Sequence, residues 1–233
     1  MKPNHACSCV ASLLTAALAP VIVAWVIGCA AGCGASAPAV HGSGVVATER
    51  REAAGFSEIW LNSGGEVVVE QTGTESVSVE AEDNLLPLLE SRVDGRRLTL
   101  GSKPNVNLHA TRPIRYRVTV KELTALGVSG SGKFRVEGVD TPRLTASISG
   151  SGSATLSGKA DDVRLSVSGS GDYDAARLAT KTASVSISGS GSATVNASDR
   201  VEADISGSGS VRYLGSPMVE KHVSGSGSIA RAN

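Results

Sequence analysis

The chain has 233 residues and balances 22 Lys and Arg against 22 Asp and Glu, so no basic field argues for nucleic acid and no acidic field for a cationic partner. Aromatic residues make up 3%, Gly reaches 27 residues, and the 41% apolar content comes mostly from Val, Ile, Leu and Ala. That profile favours thin β-layers with tight corners over a bulky aromatic core. The four cysteines, Cys7, Cys9, Cys29 and Cys33, all fall in the first 33 residues, which excludes a disulfide framework spread through the body.

Residues 1–9 carry one Lys and no acid, and Val10 to Ile27 is almost wholly apolar. With the small residue Gly28 before Cys29, this is the pattern of a secretory signal over residues 1–28. Val26-Ile27-Gly28-Cys29 also resembles the bacterial lipobox. The resemblance implies that Cys29 becomes the diacylated N-terminus of the mature chain, which would sit in the cell envelope, on the outer membrane or facing the periplasm in a Gram-negative cell. Other readings stay open: ordinary secretion, an uncleaved span of about bilayer length despite Pro20, or lipidation at Cys33, which lacks a large aliphatic residue three positions upstream. Residues 29–44 then read as a lipidated tether, flexible from Ala35 to about Gly44 because Ser, Ala, Pro and Gly dominate it.

The domain is expected over residues 45–231, with degenerate rungs and a hairpin in 45–120 and regular rungs in 121–231. Ile59 and Leu61 precede Asn62-Ser63-Gly64-Gly65, and Val67 and Val69 follow it. Residues 76–81 alternate around Val77 and Val79, and residues 82–89 suit a helical turn or a loop. Asp94-Gly95 between Glu90–Val93 and Arg96–Leu100 is a hairpin signal. Pro113 opens another strand, with Tyr116, Val118 and Val120 on one side and Arg115 and Arg117 on the other.

From Ser129 onward Ser-Gly-Ser-Gly recurs six times, at Ser129, Ser149, Ser168, Ser188, Ser206 and Ser224, at spacings of 18 to 20 residues. Fixed periods of this length signal a solenoid. Before each copy the chain alternates apolar and polar residues: Val128, Ile148, Val167, Ile187, Ile205 and Val223 stand one position before it, and Leu126, Ala146, Leu165, Val185, Ala203 and Lys221 three before. A second short strand follows, with inward residues Phe134, Ala154, Tyr173, Ala193, Val211 and Ile229, and a further corner comes at Gly138, Gly158 and Gly215. The expected fold is all-β, a parallel β-helix with the corner glycines Gly130, Gly132, Gly150, Gly152, Gly169, Gly171, Gly189, Gly191, Gly207, Gly209, Gly225 and Gly227 as structural hinges. The corner serines are expected to bond to nearby backbone or to one another.

These features together, FSEIWLNSGGEVVVEQ, VEAEDNLLP, RRLTLG, RPIRYRVTV and the recurring SISGSGSA and VSGSGD corners, resemble the GIN-domain family of auto-transporter adhesin head domains over about residues 43–230. The resemblance implies a right-handed parallel β-helix on an exported, lipid-anchored bacterial protein, and it supplies no catalytic residues. The chain departs from the family after the corner, where the residue is acidic only at Asp172 and is otherwise Lys133, Ser153, Ser192, Ser210 or Ser228.

No catalytic cluster, metal site or cofactor is expected. His41, His109 and His222 lie far apart in sequence, and Asp172-Tyr173-Asp174 has no recurring acid to build a calcium ladder. Arg164, Glu202 and Glu220 suit surface ion pairing. Trp60 is expected to face outward and is the best single candidate for a contact surface, with partial burial under the N-terminal cap as the plainer reading. The leading functional expectation is a non-enzymatic envelope lipoprotein whose partners are the membrane, through its anchor, and a surface protein or glycan. Alternatives are a carbohydrate-active β-helix enzyme and a structural or envelope-stress protein without an external ligand.

Overall fold

A computed structural model describes residues 39–232; the signal segment, Cys29 and Cys33 lie outside the described residues. The N-terminal part holds β1 (Ala39–His41), β2 (Val46–Arg51), β3 (Glu58–Leu61), β4 (Glu66–Gln71), β5 (Ser76–Glu82), a 3-10 turn at Leu86–Leu88, β6 (Leu89–Asp94), β7 (Arg97–Ser102), β8 (Asn107–His109) and β9 (Arg115–Val120). The repeat region holds β10 (Ala125–Gly130), β11 (Lys133–Gly150), β12 (Ser153–Gly169), β13 (Asp172–Gly189), β14 (Ser192–Gly207), β15 (Ser210–Leu214), β16 (Met218–Gly225) and β17 (Ser228–Arg231). Together they wind a β-solenoid of about five turns.

Each of β11 to β14 runs from one Ser-Gly-Ser-Gly corner to the next, so one long, bent strand makes a whole turn. The stretch before each corner stacks on a front side, in the order β6, β7, β3, β10, then the last halves of β11 to β14, then β16, in parallel from β7 onward. The stretch after each corner stacks on a back side, from β2, β5, β9 and β4 through the first halves of β11 to β14 to β15 and β17. The pairing is parallel throughout the repeats and antiparallel only at the N-terminal end, where β2 pairs β5, β5 pairs β9 and β6 pairs β7.

The register places like residues over like. Val128, Ile148, Val167, Ile187, Ile205 and Val223 form one inward row. The back side's inward row reads Tyr116, Val67, Phe134, Ala154, Tyr173, Ala193, Val211 and Ile229. Tyr173 fits because its two neighbours in that row are alanines, which leave the volume its ring needs. Burial of each inward Val, Ile or Leu contributes about 1.5–3 kcal/mol, and only stacking supplies that burial, because one turn has no core of its own.

The two glycines of a corner do different work. At Gly189 φ is 121°, and a Cβ would stand 2.5 Å from the carbonyl oxygen of Gly169 one turn earlier. At Gly191 a Cβ would meet the Cγ1 of Val167 at 2.7 Å. The first glycine lets the chain turn, and the second makes room for the β-branched residue of the preceding turn. Backbone bonds such as Ser190 N–H to Gly169 O, 2.9 Å, continue the ladder through the corner. The serine hydroxyls do not follow expectation: among the described residues, none of those in the six corners is hydrogen-bonded within the chain. Their side chains point away from the ladder into solvent, and the backbone amides make the bonds instead.

Residues 39–44, expected to belong to a flexible tether, are bonded to the folded domain. β1 pairs in parallel with β8 in a small separate sheet. Gly44 N–H donates to Glu82 Oε1 at 2.7 Å, and Asn84 Nδ2 donates to the His41 carbonyl at 2.7 Å. These bonds hold residues 39–44 to the domain despite their linker-like composition.

Candidate contact surface

The outward residues of the front side also stack in rows. One row runs Trp60, Gly127, Ser147, Ser166, Ser186, Asp204 and His222. At the rim of this side stand the first and second serines of the corners, two rows of exposed hydroxyls about 4.8 Å apart along the stack. Each hydroxyl can donate one hydrogen bond and accept two.

Trp60 is half-buried between Gly127 on one side and Thr99 of β7 on the other. Its ring lies against Gly127, where a Cβ would come within 2.2 Å of Cε3, and the Arg97 guanidinium carbon lies 4.4 Å from the ring centroid. Arg97 is held there by Glu58, 3.3 Å away, and Trp60 Nε1 is buried without a partner. The outward face expected of Trp60 is thus largely covered, by an arginine and by the next strand. Gly127 was the sequence signal for this packing, since it interrupts an otherwise polar row.

Asp162, Arg164, Arg200 and Glu202 line one shallow depression of about 300 Å3, and the charges around it are taken up mostly in exposed ion pairs. Arg164 stands 3.8 Å from Asp162, which also pairs with Arg143 at 3.2 Å, while Ser184 separates Arg164 from Glu202. Glu220 pairs with Arg200 and with His222. Asp172 accepts from the Ser192 hydroxyl, and Asp174 accepts from Ala176 N–H at 3.1 Å. His41 and His109 are not apart as their sequence separation suggests: the β1–β8 register sets them opposite each other and stacks their rings 5.0 Å apart. Among the described residues no group of three His, Cys, Asp or Glu could hold a metal ion.

One carboxylate is held firmly by its surroundings. Glu82 is 1% exposed. It accepts from the Thr111 hydroxyl at 2.6 Å and from the amides of Thr111 and Gly44 at 2.9 and 2.7 Å. The Thr111 hydroxyl bond does most to hold its pKa below the ordinary value; burial opposes this, and the amides of Gly44, Thr111 and Arg112 reinforce it. The partners lie 29 to 38 residues away, so no local motif marked this clasp.

The profile of the family described as "putative auto-transporter adhesin, head GIN domain" matches residues 55–217. The chain belongs to this GIN-domain family. Among solved structures, a putative adhesin from Bacteroides fragilis is 21% identical with a TM-score of 0.68, over 83% of this chain and 100% of that one. A putative adhesin from Parabacteroides distasonis is 25% identical with a TM-score of 0.54, over 84% of this chain and 100% of that one. A putative lipid binding protein from the same organism is 24% identical with a TM-score of 0.54, over the same shares. No curated protein matches the chain. A GIN domain of this family supports a non-enzymatic, adhesin-like role on an exported or cell-surface protein.

Proposed function

We propose that the chain is an exported lipoprotein, diacylated at Cys29, that presents its solenoid at the cell envelope and makes glycan contacts through the corner-serine rim and the adjoining front side. The observation that carries this reading is the pair of exposed serine rows whose hydroxyls have no partner in the chain. Such hydroxyls are already solvated, so they can exchange water for sugar hydroxyls without breaking an internal bond. Individually weak contacts repeated along a row add up as a multivalent surface.

The reading is tested with the mature chain on a panel of neutral and acidic envelope polysaccharides. Retention without cleavage is expected, and turnover of any acidic polysaccharide would replace this reading with that of a carbohydrate-active enzyme. Deletion of the gene is expected to reduce attachment while leaving the envelope intact; the reverse pattern would point to a structural role. Palmitate labelling that disappears with Cys29→Ala is expected for the anchor, and labelling that persists would move it to Cys33.

A further inference from the structure

The residue after each corner is Ser or Asp in five of the six repeats but Lys133 in the first. Lys133 stands in register with Glu66 of β4 and, beyond it, Arg115 of β9. Where these strands meet the 110–114 segment there is a cleft of about 530 Å3, lined by Arg112, Arg115, Lys133 and Ser131 over Pro113 and Ile114, with Glu66 as its one carboxylate. Arg115 is fixed from two sides, 3.4 Å from Glu66 and 3.3 Å from Glu80. Among the described residues, Arg112 and Lys133 enter no ion pair, and both are exposed.

We infer that this cleft binds a phosphate-bearing group of the size of a sugar or glycerol phosphate. Cations from the 112–115 stretch and from the start of β11 line the one cleft, which suits a tetrahedral oxyanion with several acceptor oxygens. Ser131 adds a hydroxyl donor, and the Pro113–Ile114 floor offers apolar surface to the carbon skeleton. The same chemistry is carried by a free sugar phosphate and by a lipid headgroup. The second source rests on the proposed anchor at Cys29, whereas the phosphate site does not. Thr111, which also lines the cleft, is bonded to Glu82 and through it to Gly44, so the cleft adjoins the entry of the N-terminal segment.

The experiment uses the mature chain carrying Cys29→Ala, so that an acyl chain cannot drive membrane binding. Glycerol 3-phosphate is titrated at low ionic strength, and co-sedimentation is measured with phosphatidylcholine vesicles with and without phosphatidylglycerol. Lys133→Ser, which installs the residue of the later repeats, and Arg112→Gln are each expected to weaken binding about fivefold, with unchanged melting temperatures. Arg212→Ser, a cation at the far end of the same side, is expected to leave binding as it is, and added salt is expected to weaken it. Sedimentation only with phosphatidylglycerol, lost in the double variant that combines Lys133→Ser and Arg112→Gln, assigns the lipid source; glycerol 3-phosphate binding without vesicle binding assigns the free one. Failure to bind either probe, or binding that the double variant leaves unchanged, would overturn the site.

Discussion

At Gly189 the positive φ and the close carbonyl of Gly169 act together, so Gly189→Ala is expected to cost at least about 1–3 kcal/mol. Gly64 has no atom within 4 Å of a built Cβ and no left-handed φ, so Gly64→Ala is expected to be neutral or mildly stabilising. Chemical denaturation of both variants checks the contrast, and equal effects would remove the distinction between corner and open loop. Tyr173 gives a prediction of opposite sign. Its ring fills the core, but its hydroxyl is buried without a partner, and the same burial pushes its pKa upward. Tyr173→Phe is expected to raise stability by about 1 kcal/mol; a loss of similar size would mean that the hydroxyl has a partner. Glu82 makes the N-terminal clasp pH-dependent. Because its folded-state pKa is depressed, its contribution is complete above the unfolded value and is lost as pH falls through the folded value. The protection of the Gly44 amide against hydrogen exchange, taken relative to an unstructured amide at the same pH, is expected to fall on acidification in the native chain, and Glu82→Gln is expected to flatten that dependence.

A single turn was the most legible unit in the sequence. The inward residues before each corner could be named because an 18–20-residue period aligned them six times, and the register reproduces those rows. A charge at Ile187, 1% exposed, is therefore expected to cost about 4 kcal/mol. Asp at Ser166, which faces solvent between Ser147 and Ser186, is expected to change stability by less than about 0.5 kcal/mol. The last turn breaks the rule informatively. Lys221 takes an inward position, donates to the Ile229 carbonyl at 3.1 Å and lies 5.7 Å from the Tyr213 ring centroid. Arg231, in register with Tyr213, takes another. An inward charge on an end strand discourages further strand addition. Lys221→Val is accordingly expected to associate end to end in light scattering at concentrations where the native chain does not, and an unchanged mass would deny Lys221 that role.

The parallel stack was legible in the whole chain because repetition makes each turn a copy of its neighbour. The N-terminal end was not, because its antiparallel pairs, the β1–β8 sheet and the Glu82 clasp join residues through contacts that occur once. The contact surface was legible only in part: the outward rows follow from strand alternation, whereas the unbonded serine hydroxyls and the arginine over Trp60 are properties of packing. Those hydroxyls carry the adhesin reading, so they are the place to test it. The most direct measurement is attachment of beads bearing the mature chain to glycan-coated surfaces, with and without the combined changes Ser149→Ala, Ser168→Ala and Ser188→Ala. The expected result is that attachment falls severalfold while the melting temperature holds; full attachment by a folded triple variant would contradict the serine rim as the contact surface.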